Sequence, residues 1–90
     1  MTVLIRAICP EILGNFPSGN YKLNDGLSAI DAIRQAIELS GTANADIASL
    51  DRLVYMRNGK HIAKDVILLD GDTLMALKVK ITFHRSFRHS

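Results

Sequence analysis

Ile30, Ile33 and Ile37 recur at i, i+3 and i+7, Ala29 and Ala36 widen the stripe, and Asp31, Arg34, Gln35 and Glu38 gather on the opposite side. No other segment carries so clear a helical period. A helix with one apolar face has to bury that face, and the segments around it carry strand and turn signals. The chain is therefore constrained to one main helix lying on a sheet. Ser28 stands at the N-cap position with Asp31 three residues on, and Gly41 follows the last periodic residue as a stop, which predicts a helix over Leu27 to Ser40.

Strand signals flank the helix on both sides. Val3 to Cys9, closed by Pro10, reads as a first strand. Gly14, Pro17, Gly19 and Asn20 mark a turn, and a short second strand is expected at Tyr21 to Leu23. After the helix, a polar connection that accommodates a helical turn leads to Leu53 to Arg57. Asn58-Gly59 is a strong hairpin signal because both residues tolerate positive φ, so Lys60 to Ala63 should return as a brief strand. An aliphatic cluster from Val66 to Leu69 then ends in Asp70-Gly71-Asp72, a tight turn whose carboxylates read as turn formers. A last strand is expected to place Leu77, Val79, Ile81 and Phe83 on one face and Lys78, Lys80 and Thr82 on the other. The order ββαβββ, or ββαββ with a short fourth strand, predicts an α+β domain with a mixed four- to five-stranded sheet and the helix across one face. A right-handed crossover would carry the chain over. That is the ubiquitin-like β-grasp arrangement.

Ninety residues supply one hydrophobic core, and 48% hydrophobic against 22% charged residues argues for a folded globule. No apolar run approaches the ~20 residues that span a bilayer, and Arg6 and Glu11 interrupt the start, so a cytoplasmic protein without membrane contact is expected. The single cysteine, Cys9, ends an apolar run and reads as a buried, inert thiol. Residues 1–72 carry seven Lys or Arg against nine Asp or Glu, whereas residues 73–90 carry Lys78, Lys80, Arg85 and Arg88 with no acid. The boundary is placed accordingly, with a domain over 1–83 and a short basic tail over 84–90. His61, His84 and His89 are scattered, no glycine-rich phosphate loop is present, and no nucleophile and base fall at an interpretable spacing. Neither a metal, a cofactor nor an enzymatic activity is expected.

The segment VYMRNGKHIAKDVILLDGDTLMAL resembles the C-terminal half of the ThiS and MoaD type sulfur carriers of thiamine and molybdopterin biosynthesis. Asn58 and Gly59 match the family's turn after a strand, and Asp70, Gly71 and Asp72 match its turn before the last strand. The resemblance implies a ubiquitin-like fold and a C-terminal Gly-Gly tail that an E1-like enzyme adenylates. This sequence departs there: it contains no Gly-Gly, no glycine follows Gly71, and it reads FRHS at its end. The expectation is a non-catalytic interaction module. Its protein partner would be an E1-like activating enzyme or a synthase subunit, or a second copy paired through the C-terminal strand. Leu77, Val79, Ile81 and Phe83 would either complete the core or extend past it as an exposed edge, with Lys78, Lys80, Arg85 and Arg88 supplying charge. The basic tail also admits nucleic acid as a third partner class, although no RNA-binding signature accompanies it.

Overall fold

The computed structural model describes residues 1–78. Five strands form one mixed sheet in the order β2-β1-β5-β3-β4: β1 (Thr2–Ile8), β2 (Gly19–Lys22), β3 (Val54–Arg57), β4 (Lys60–Ile62) and β5 (Thr73–Leu77). β1 and β5 run parallel at the centre, and every other neighbouring pair is antiparallel. Helix α2 (Ala29–Ser40) lies on one face, preceded in sequence by the one-turn helix α1 (Pro10–Leu13) and followed by a 3-10 helix (Ile47–Arg52). The ββαβββ order expected from the sequence is the order observed.

The core lies between α2 and the sheet. Ala29, Ala32, Ile33, Ala36 and Ile37 turn inward and share one buried cluster with Val3, Ile5, Tyr55, Leu74 and Ala76 of the sheet. At the helix start, Ser28 Oγ accepts the Asp31 N–H at 3.3 Å, while the Ala29 and Ile30 N–H groups donate to Val66 and Lys64 carbonyls at 2.9 and 3.0 Å. The first-turn donors, which no helical carbonyl reaches, are thus satisfied. Gly41 ends the helix at φ 69°, ψ 25°, the left-handed geometry a C-terminal glycine supplies. The helix begins two residues later than expected because Ser28 serves as the cap.

Several local expectations change. Cys9 leaves the first strand to become the N-cap of α1, whose first position is Pro10, and Ile12 and Leu13 are buried with Phe16 beneath it. The sequence reading treated this segment as a turn. Cys9 is itself buried, as expected. The second strand starts at Gly19, since Ile5 pairs with Gly19 and Val3 with Tyr21. The Val66 to Leu69 cluster is a connecting segment: only an isolated bridge joins Ile67 to Ser28, and Leu68 alone is fully buried.

The largest correction concerns the last strand. It occupies Thr73–Leu77, with Leu74 and Ala76 buried on the helix side. Leu77 therefore points to the other face and does not complete the core. Both edges of β5 are taken, by β1 and β3, so its described part has no free backbone edge for a second copy. Val79, Lys80, Ile81, Phe83, Arg85 and Arg88, together with the expected 83/84 boundary, lie outside the described residues.

Candidate functional site

The alternation of side chains along each strand divides the sheet into a face under the helix and a face without one. On β1, Val3 and Ile5 are fully buried, whereas Leu4, Arg6 and Ile8 take the open side. On β5, Thr73, Met75 and Leu77 share that side, and on β3 so do Val54 and Met56. The strand registers align them in rows. Ile8 lies beside Leu77, which lies beside Val54, and Arg6, Met75, Met56 and His61 form the next row. Leu4 and Thr73 form a third row, with Asn20 on the other side of Leu4.

The open face is apolar at its centre. Leu4, Val54, Met56, Met75 and Leu77 are half-buried by their neighbours, and Ile8 is 52% exposed. Its charges carry one sign: Arg6 stands within the face and Lys22 at its β2 margin, and none of these outward strand positions holds a carboxylate. Contiguous apolar surface rimmed by polar groups is the usual mark of a protein-binding site. Two methionines add adaptability, since an unbranched thioether repacks against varied shapes. Of the expected interaction set, Leu77 lies at the end of this face and Lys78 is exposed just past the end of β5. Leu4, Ile8, Val54, Met56 and Met75 were missed, although Arg6, the sole charge within the first strand, marked the outward parity on which Leu4 and Ile8 also fall.

The two turns that carry the family resemblance meet at the lower end of β3 and β5. Asn58, at φ 51°, and Gly59, at φ 85°, make the hairpin turn between β3 and β4. The Asn58 side chain reaches across, its Oδ1 accepting the Thr73 N–H at 2.9 Å and its Nδ2 donating to Asp72 Oδ1 at 3.1 Å. Asp72 Oδ2 accepts the Leu69 N–H at 2.8 Å, and the Arg57 Nε is 4.0 Å away. Asp70 Oδ1 accepts the Thr2 N–H at 2.7 Å, and the Gly71 N–H donates to the Thr2 carbonyl at 2.8 Å. These residues fasten turns to strands.

On the helix side, a cleft of about 380 Å³ opens where Asn15 and Pro17 face Ser40 to Asn44. Its lining includes no titratable side chain. Among the described residues, no group of three His, Cys, Asp or Glu side chains could hold a metal, and no helix is long and apolar enough to cross a membrane.

A central parallel pair, antiparallel outer strands and one helix across a single face define a ubiquitin-like β-grasp. The structure is similar to SAMP1 from Haloferax volcanii, with a TM-score of 0.63, 13% identity, and coverage of 92% of this chain and 100% of that one. It is likewise similar to a second structure, H. volcanii small archaeal modifier protein 1, with a TM-score of 0.60, 14% identity, and coverage of 86% and 95%. At these identities the likeness establishes the fold. No family model matches the sequence, and no curated protein matches it.

Proposed function

We propose that this chain is a non-catalytic protein-interaction module related to the ThiS and MoaD type carriers, and that its partner docks on the open face of the sheet. The observation that carries the reading is the juxtaposition of Ile8, Leu77 and Val54 in one row with Met75 and Met56 in the next, an apolar surface that no element among the described residues covers. The partner class is an E1-like activating enzyme. The matched turns at Asn58-Gly59 and Asp70 to Asp72 support this class, as does the likeness in fold to proteins described as small archaeal modifiers. A partner suited to Arg6 and Lys22 presents carboxylates around an apolar centre. No sulfur-donor step is assigned, because the 90 residues contain no Gly-Gly through which a carboxylate could be threaded into an adenylation site.

The reading is tested by titrating isotope-labelled chain with a purified E1-like activating enzyme. Shift changes are expected at Leu4, Ile8, Val54, Met56, Met75 and Leu77, and the intact mass after addition of ATP should remain that of the free chain. Changes confined to the helix side, around Leu39 and Ile47, would overturn the face assignment. Absence of binding would overturn the partner class, and a stable adenylate would overturn the non-donor role.

A further inference from the structure

Asn58-Gly59 is the one Asn-Gly step in the chain. Such a step is chemically reactive, because a glycine nitrogen has no side chain beside it to hinder attack on the preceding side-chain amide. In this fold, however, the amide is committed elsewhere. Its Oδ1 accepts from the Thr73 N–H at 2.9 Å, its Nδ2 donates to Asp72 Oδ1 at 3.1 Å, and the Asn58 N–H donates to the Thr73 carbonyl at 2.9 Å. Both side-chain bonds have to break before Asn58 Cγ can swing onto the Gly59 nitrogen.

We propose that Asn58 is a deamidation site gated by opening of its bond pair with β5 and Asp72, and that the modification, once made, prevents that pair from closing again. In the open state the Gly59 nitrogen loses its proton and bonds to Asn58 Cγ, the Cγ–Nδ2 bond breaks, and Nδ2 leaves as ammonia. One water then adds to either carbonyl of the resulting five-membered ring and opens it, leaving a carboxylate in a normal or an isoaspartyl linkage. Amide and water have become carboxylate and ammonium, with no oxidant or reductant involved.

The product faces Asp72, which is 8% exposed. Where an N–H donor met a carboxylate at 3.1 Å, two acceptors of like charge now meet, one on the exposed turn and one on the nearly buried Asp72, which is unfavourable. The Arg57 guanidinium, 4.0 Å from the far oxygen of Asp72, offsets only part of this. Local opening is the gate because a residue held by few bonds at a chain turn samples open states far more often than a core strand does.

The experiment compares deamidation at Asn58 by peptide mass mapping in the folded chain and in denaturant, and measures the unfolding midpoints of Asn58→Asp, Asp72→Asn and the double variant. The folded chain should deamidate about tenfold or more slowly than the unfolded one. Asn58→Asp should lower the midpoint, and the double variant should recover much of the loss, because exchanging donor and acceptor between the two positions restores one donor facing one carboxylate. Equal rates in the folded and unfolded chain, an unchanged midpoint for Asn58→Asp, or no recovery in the double variant would each overturn the proposal. A failure of Asn58→Asp to fold leaves the exchange variant as the discriminating measurement.

Discussion

The Asn58 amide and the Asp72 carboxylate, fourteen residues apart, hold the β3–β4 turn against the start of β5 through a bond of 3.1 Å. Asp72 is nearly buried and also accepts the Leu69 N–H, so its removal strands two donors. Asp72→Ala is expected to destabilise the fold by about 2–3 kcal/mol, the cost of leaving such donors unpaired. The measurement is the denaturant midpoint. In a double-mutant cycle with Asn58→Ala the two losses should fall short of adding, because the first change already removes their shared bond.

Tyr55 gives a pH dependence whose sign is fixed by its surroundings. Burial pushes its phenol well above the ordinary value, with the Arg34 charge lowering it and the Asp51 charge raising it to lesser degrees. The hydroxyl donates to the Leu50 carbonyl at 2.8 Å. The unfolded phenol ionises near pH 10 while the folded one stays protonated, so this contribution is complete below about pH 10 and is lost as pH rises further. Spectrophotometric titration should show the Tyr55 phenolate appearing together with unfolding. Tyr55→Phe should cost about 1 kcal/mol at neutral pH, through the carbonyl left without its donor.

The two sides of α2 should respond in opposite ways to truncation. Ile33 is fully buried, and Ile33→Ala is expected to cost about 2–5 kcal/mol through lost transfer energy and a residual cavity. Leu39 is 60% exposed, and Leu39→Ala should change the thermal midpoint little. Calorimetry on the two variants checks the assignment of faces.

That helix was legible in the sequence because its stripe, cap and stop agree on one span, and Asn58-Gly59 was legible because positive φ at two successive positions leaves few residue choices. The Asp70 to Asp72 turn was readable as a turn, but its bond to Asn58 was not, since pairing across fourteen residues depends on the sheet order. The open face was half visible. Parity along β1 set Leu4, Arg6 and Ile8 together, yet only the register with β5 and β3 shows that Met75, Leu77, Val54 and Met56 continue that surface. The side taken by Leu77 was left open between core and exposed edge, because the regular Leu77 to Phe83 alternation carries no anchor of its own. In the fold, Leu74 and Ala76 occupy the inward positions and so fix the parity of β5. The α1 turn was hidden by Pro10, which reads as a strand stop yet here begins a helix.

The open sheet face is proposed to bind a partner more than to support folding. The most direct test is the affinity of the Ile8→Glu/Met75→Glu variant for an E1-like activating enzyme, measured by calorimetric titration beside the parent chain. The outward position of both residues predicts a thermal midpoint close to the parent's and binding weakened roughly a hundredfold, the effect of placing charge at the centre of an apolar contact. A variant equally well folded that binds as tightly as the parent would contradict it.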